Sequence, residues 1–399
     1  MRVGKAKDDG QRRRVDVELA HEREKAEDNP NGVTVKQRIS HFTWPWFSAT
    51  MATGGLASVI SQTPNRFTGL QTIGKIFFIV DLIMFVTFNI MIGIRFFRHP
   101  HKLVSSLHHP VEGLFFGAYW VSVGLILSCC QSYGVPNTGP WLVSALRVLY
   151  WMYCVTVSLV AVFQYYVLFK KERLNVMNAM PAWIFPVYPL LVIGPLASNL
   201  IPSQSQPNAY PMWVGAVMLQ GLAWTVAIMM YSIYTQRLMG SELPSPSTRP
   251  GMFVSVGPAG YTAAGIIGLA TLAPSVVPPN AFNTDGAFPD GDVVKVFGVL
   301  AGIFVLLFSF WFFCISTVSV IAGVKQMSFT LNWWAFIFPN AGLTLAVIQL
   351  GSTFKSPGIN GFCSFLTVML VILWLITAVA NVIAVVRGTI LWPGKDEDS

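Results

Sequence analysis

Charge is what this sequence has least of. Asp, Glu, Lys and Arg make up 11% of its 399 residues, where an ordinary soluble domain carries about 25%. A folded chain so poor in charge has too little polar surface to stay in solution. The charge that exists is crowded at one end: residues 1–40 hold ten of the 26 Lys and Arg and eight of the 18 Asp and Glu. The net charge of +8 does not suggest a nucleic-acid reader, which gathers basic residues on one face. Here they stand in short clusters between apolar runs. Cysteine is equally sparse. Cys129, Cys130, Cys154, Cys314 and Cys363 all lie in apolar segments, an odd count without ligand spacing, so no disulfide framework and no metal site is expected. The histidines His99, His101, His108 and His109 sit in one short basic loop with no cysteine nearby, and a role in proton sensitivity suits them better than a metal. Carboxylates are nearly missing from the apolar runs, which leaves an intramembrane enzyme without its reacting groups. Long outer loops and a large extra domain, the usual marks of a receptor, are missing too. Neither enzyme nor receptor is more than a remote alternative, and no cofactor is expected. The first 40 residues also lack the apolar core of a signal peptide; they read as a polar tail without a fixed fold.

What the chain has in abundance is long hydrophobic runs: 53% of residues are apolar and the mean hydropathy is +0.56. About 20 apolar residues cross a bilayer as a helix. By that measure ten spans are expected, near 44–62, 72–94, 111–130, 141–169, 181–201, 211–236, 252–274, 293–323, 329–350 and 362–387, within a domain covering 41–390 and ahead of a short acidic tail at 391–399. Loops on one side carry 21 of the 26 basic residues: the N-terminal tail, Arg95, Arg98, Lys102, Lys170, Lys171, Arg173, Arg237, Arg249, Lys325, Arg387 and Lys395. The other side has Asp285, Asp290 and Asp292 and little besides Arg66 and Lys355. Cytoplasmic loops collect Lys and Arg, so both termini are expected in the cytoplasm.

Beneath the spans lies a repeat of roughly 70 residues. Odd-numbered spans carry Pro and Gly at mid-membrane depth: Trp44-Pro45-Trp46-Phe47 leads to Thr53-Gly54-Gly55, Pro181 and Pro186 lead to Pro189 and Gly194-Pro195, Pro250-Gly251 leads to Gly257-Pro258, and Phe338-Pro339 leads to Gly342. Even-numbered spans are smooth apolar helices. Broken helices expose carbonyl and amide groups, which a membrane tolerates only where they face protein or line a wet cavity. The expected fold is therefore all-α, five helical hairpins with the broken odd helices as an inner ring around a pore and the even helices outside.

Few polar groups punctuate these spans. Thr43, Ser48, Thr50 and Thr53 lie on the first, and Thr262, Asn340 and Thr344 on later ones. Such donors either replace part of an anion's hydration shell or bind their own helix backbone and pack. Ionisable residues inside a membrane are functional candidates by default. Asp81, Glu112 and Arg147 are the clearest. Arg147 either pairs with one of the two acids or faces the pore and attracts an anion.

Several stretches carry a resemblance: His41-Phe42-Thr43-Trp44-Pro45-Trp46-Phe47 with Met51-Ala52-Thr53-Gly54-Gly55, Gly69-Leu70-Gln71-Thr72-Ile73-Gly74-Lys75, Pro181-Ala182-Trp183-Ile184, Arg249-Pro250-Gly251-Met252-Phe253, Trp334-Ala335-Phe336-Ile337-Phe338-Pro339-Asn340 and Pro393-Gly394-Lys395-Asp396-Glu397-Asp398. In this order they resemble the fungal malate permeases of the tellurite-resistance/dicarboxylate transporter family, to which plant slow anion channels are related. The resemblance implies ten helices in five hairpins, a pore in each subunit of a homotrimer, and a fungal plasma-membrane location. It implies C4-dicarboxylates, malate with succinate and fumarate, as cargo, moved by a channel or with protons. It also makes a sulfite efflux pump of the same fold the main alternative. By the same resemblance Phe338 is expected to be the pore gate, its ring closing the path by excluding water.

Overall fold

A computed structural model describes residues 34–172, 175–283 and 288–392. The tail expected at 1–40, except its last seven residues, lies outside the described residues, as do Arg173, Asp285 and the motif from Pro393 onward. Within the described residues the chain is helical throughout and contains no strand. Its helices are α1 (Val35–Ile39), α2 (Phe47–Gln62), α3 (Leu70–Arg98), α4 (Pro100–His108), α5 (Phe116–Cys129), α6 (Pro140–Val167), α7 (Tyr188–Leu191), α8 (Ile193–Leu200), α9 (Gln206–Gly240), α10 (Val256–Val276), α11 (Asp290–Gly323), α12 (Phe338–Phe354) and α13 (Pro357–Val386).

Eight stretches are long and apolar enough to cross a membrane: 70–98, 112–137, 140–170, 206–240, 249–276, 290–326, 331–354 and 357–386. The chain is a multi-pass membrane protein. Two expected spans fall short of that standard. The first is α2, a 16-residue helix rich in Ala, Gly, Ser and Thr. The second is the stretch from 181 to 200, which prolines divide into a tight 3-10 turn at Pro181–Ile184, the single turn of α7 and the eight-residue α8. Each proline removes a backbone donor and crowds the preceding turn, so no continuous helix forms there.

Two classes of helix follow from what each one faces. On α3, Ile76, Ile79, Ile83, Val86 and Ile90 recur every three or four residues and are each 55–61% exposed. That spacing places them on one face, an apolar stripe that water would not tolerate and acyl chains would. The stretches 70–98, 140–170, 206–240, 290–326 and 357–386 are all at most one-third buried. By contrast α2 is buried from Phe47 to Ser61, and the stretch 249–276 is mostly buried, without a break from Pro250 to Gly265. The buried elements pack in a closed sequence: α2 on α5, α5 on α7 and α8, α8 on α10, α10 on α12, and α12 back on α2. Small residues permit these contacts. A Cβ added to Gly260 would meet the Leu343 amide and the Gly342 carbonyl carbon, and one on Gly194 would lie 3.0 Å from the Gly265 Cα. Chain reversals use similar means: Gly69 enters α3 at φ 102°, a conformation that suits glycine, and Pro100 ends α3 by starting α4.

Candidate functional site

Phe338 stands at the first position of α12, where Pro339 follows in the first turn. Proline suits that turn because its missing N–H would be unpaired there in any case. The side chain is fully buried and closed in by other ring elements. Tyr261 of α10 stacks on it, with centroids 4.9 Å apart and planes 23° apart. Tyr188 of α7 lies at 5.2 Å. From α2, a Cβ on Gly55 would be 3.5 Å from the ring. The Tyr261 hydroxyl donates to the Phe338 carbonyl at 3.4 Å, whereas the Tyr188 hydroxyl is buried with no hydrogen-bond partner. Three aromatic rings thus pack together where α2, α7, α10 and α12 meet.

The hydroxyl and amide candidates are all buried, and most are already committed. Thr50 bonds the Phe47 carbonyl at 2.9 Å and shares a 2.8 Å contact with Ser122 of α5. Thr53 donates to Ala49 O at 2.7 Å and accepts from the Trp374 indole of α13 at 2.9 Å. Thr262 accepts from Gln220 of α9 at 3.0 Å, and the Gln220 carbonyl accepts from the Gly194 amide at 3.1 Å. Thr344 donates to Asn340 O at 2.7 Å. Asn340 donates to Phe336 O at 2.9 Å, while its side-chain oxygen is left without a partner. Thr53 and Thr262 therefore tie buried helices to outer ones in this closed arrangement, and the free acceptor on Asn340 is the exception.

Two charge assignments need correction. Glu112 does not pair with Arg147; it makes a two-pronged ion pair with Arg95. Arg95 is not in a loop but in the last turn of α3, buried, and it also donates to Phe42 O at 3.0 Å. The reason is the direction of the chain. Glu112 opens the 112–137 stretch on the side where α3 ends, whereas Arg147 lies two turns into α6, which starts where that stretch finishes. Arg147 is half-buried and makes neither hydrogen bond nor ion pair among the described residues. The imidazole of His109 accepts from the Glu112 amide at 3.1 Å and so holds the turn that presents the acid. Asp81 is fully buried, and both its oxygens are without partners.

The ring has polar ends that composition alone did not single out. Toward the C-terminal ends of the buried helices, half-buried amides and hydroxyls converge. Gln349 of α12 donates to Gln62 of α2 at 3.2 Å, and Asn199 of α8 donates to Ser128 and Ser132 at 3.1 and 3.0 Å. Gly268 of α10 leaves room for the Ser198 hydroxyl. At the opposite, basic end, a cavity of about 540 Å³ is lined by Thr43, Ser328, Thr330, Asn332, Thr389 and Arg387 among others. Neutral donors therefore lie at one end, hydroxyls with an arginine at the other, and the packed aromatic rings between them.

A profile of the voltage-dependent anion channel (SLAC1) family matches residues 41–382. The chain belongs to that family. Among curated relatives, a malic acid transport protein from Schizosaccharomyces pombe is 30% identical over 370 residues, covering 92% of this chain and 84% of its own. A putative malic acid transport protein from the same yeast is 32% identical over 364 residues, covering 90% and 84%. A sulfite efflux pump, SSU1, from Arthroderma benhamiae is 26% identical over 342 residues, covering 85% and 89%. These relatives are transporters and not enzymes, and anion transport is the activity that places this chain among them. The family match begins at His41, ahead of α2, and ends at Val382, so it contains every ring element.

Tyr188, Tyr261 and Arg95 escaped sequence reasoning. Tyr188 stands between Pro186 and Pro189, and Tyr261 three residues after Pro258. An aromatic hydroxyl inside a proline-broken span was the available signal for both. For Arg95 the signal was an apolar run extending past it, through Phe96 and Phe97.

Proposed function

We propose that this protein moves C4-dicarboxylate anions, malate together with succinate and fumarate, through a path at the centre of each subunit. The observation that carries the reading is the enclosure of Phe338 by Tyr188, Tyr261 and Gly55 where four ring elements meet. In this reading the ring is completed by α2 and the broken 181–200 stretch crossing the bilayer, giving ten spans as five hairpins. Neither needs to be strongly apolar, because both are covered by the outer helices. Phe338 is the gate, and Asn340, whose acceptor is free, turns its amide toward the anion once Phe336 O is released. Thr50, Thr53, Thr262 and Thr344 keep the walls in register around it. The relatives that carry malic acid in their names support the dicarboxylate as cargo. We place the protein in the plasma membrane with both termini in the cytoplasm, as a homotrimer, in keeping with the basic side of its loops and with the family resemblance.

A membrane potential negative inside opposes uptake of a dianion by about 2.3 kcal/mol per charge per 100 mV. Uptake therefore calls for a proton, a steep gradient or the singly charged acid, and efflux calls for none of them. The sulfite reading rests on the 26% identity to the efflux pump, and the uncharged walls serve that smaller anion equally well. The deciding experiment is uptake of labelled L-malate into a yeast lacking its own carrier, at acid and neutral outside pH, with sulfite resistance scored in the same strains. Malate uptake above the empty vector, with Phe338→Ala raising it several-fold, is the expected result. Sulfite resistance without malate flux would replace dicarboxylate by sulfite and leave the path unchanged.

A further inference from the structure

The cavity of about 540 Å³ at the basic end has one cationic wall, and among the described residues that line it there is no Asp or Glu. Arg387 closes α13, lines the cavity and is exposed. Its guanidinium has neither a hydrogen bond nor an ion pair among the described residues. The neutral polar groups around it fall into two sets. Ser328 and Thr330 are committed to Ser247, the first sharing a 2.8 Å contact with its hydroxyl and the second donating to its carbonyl at 3.1 Å. Thr389 likewise donates to Ala384 O at 3.0 Å. The Thr43 hydroxyl, the Trp46 indole N–H and the Asn332 amide form no hydrogen bond among the described residues, yet they are not among the partnerless groups that the fold seals from solvent. Thr43 and Trp46 are only 3% and 4% exposed, so the cavity is the opening left to them. Donors left in such a place cost free energy that water or a ligand recovers.

The cationic wall is held in place by the fold. After α13 the chain turns at Gly388, with φ 65°, and again at Leu391, with φ 55°, which brings Thr389 and Ile390 to the cavity. Arg38 of α1 fastens this turn. It donates to Val385 O at 2.5 Å and to Leu391 O at 3.1 Å, on either side of Arg387 in sequence, and lies over the Trp392 ring at 5.2 Å. The other walls lead into the ring: Thr43 and Trp46 immediately precede α2, and Asn332 stands six residues before Phe338. We propose that this cavity is a dicarboxylate-binding site at the basic mouth of the path. Arg387 holds one carboxylate, and Thr43, Trp46 and Asn332 donate to the anion's remaining oxygens. A guanidinium suits the first task because its planar fork matches a carboxylate with two parallel hydrogen bonds. A single cation attracts a dianion without neutralising it, which favours entry and still permits release. The volume lies within the usual range of small-molecule sites, about 300–1,000 Å³, and leaves room for water beside a four-carbon diacid.

The cargo named here rests on the dicarboxylate reading above, and the test separates the two. Full-length Thr389→Cys protein in detergent is treated with a thiol reagent, and modification at position 389 is followed by mass spectrometry of its peptide, so the native cysteines do not interfere. L-malate is expected to slow that modification, and its uncharged diethyl ester is not. Adding Arg387→Gln should raise the malate concentration for half-protection about tenfold, the loss of a charge-assisted contact. Arg387→Lys, which keeps the charge and loses the fork, should fall between. Trp46→Phe keeps a ring against Phe42 and Phe88 and removes only the N–H, so a rise of about threefold is expected. Modification that malate does not slow, protection equally strong from the diester, or protection that Arg387→Gln leaves unchanged would each overturn the proposal. Labelled malate uptake is measured on the same variants. If malate protects position 389 but does not cross the membrane, the dicarboxylate transport reading fails and the binding site stands. If malate crosses without protecting, the site fails and the transport reading stands.

Discussion

The buried ring and the lipid-facing shell are built from the same chain by opposite rules. In the ring, interior positions are small or polar: Gly54 and Gly55 make room for neighbouring side chains, Gly260 lies against the backbone of α12, and Thr53 and Thr262 make short hydrogen bonds. In the shell, stripes such as Ile76, Ile79, Ile83, Val86 and Ile90 face outward and touch little protein. A membrane reverses the usual arrangement, because lipid accepts the apolar residues that water rejects, while the ring needs close approach and paired polar groups. Function gathers where the chain is least apolar. Two of the buried acids sharpen the point, since Glu112 is neutralised by Arg95 whereas Asp81 has no partner.

The largest effect that would break this contrast is expected at the Arg95–Glu112 pair. Arg95→Met strands the buried Glu112 and should cost about 3–5 kcal/mol, whereas Arg95→Met with Glu112→Met should recover most of it, because both charges leave together. Thermal unfolding of the purified protein in detergent reads both. A single variant as stable as wild type would show that the pair is solvated and the ring end open. Next comes Gly260→Ala, in which the added Cβ meets the backbone of α12 at Leu343. Backbone cannot rotate away as a side chain does, so about 1–3 kcal/mol of overpacking is expected in the same assay. Smaller again is Thr53→Val, which removes the acceptor of the Trp374 indole. Hydrogen bonds between membrane helices average about 0.6 kcal/mol and reach about 1.7, and a loss in that range would confine Thr53 to holding α13 against α2.

Much of the division into ring and shell was legible before any coordinates, and the reason is local. Pro186, Pro189 and Pro195 break the 181–200 helix whatever surrounds it, and smooth runs such as 357–386 have nothing that needs hiding. The sequence also placed Thr50, Thr53, Thr262, Asn340 and Thr344 on the broken spans, as anion donors or as packing groups. Their partners were not legible. Whether Thr262 meets an anion or Gln220 depends on how α9 is rotated against α10, which no local pattern encodes. Glu112 found Arg95 rather than Arg147 because of chain direction across two turns of connection. Counting apolar residues failed for α2 for a physical reason: a helix covered on every side by protein is free to be rich in Ala, Gly, Ser and Thr. The plug was half legible, since the motif pointed to Phe338 while Tyr188 and Tyr261 reach it only after the ring closes.

The smallest expected effect tests the shell itself. Gly93, on the exposed side of α3, has nothing within 4 Å of an added Cβ, so Gly93→Ala meets no neighbour and gains helix propensity. In a water-exposed helix that exchange is worth about 0.8–1.0 kcal/mol. Bilayer already enforces helical backbone by denying it other hydrogen-bond partners, and so the gain here should be smaller, with malate flux unchanged. The comparison with Gly260→Ala holds the chemistry constant and varies only the region, which makes the difference between them a direct measure of ring against shell. A clear loss of stability or flux at Gly93 would mean that this face of α3 is covered in the assembled protein by a neighbouring subunit. In that case the exposed stripe beginning at Ile76 is a subunit contact and not a lipid surface.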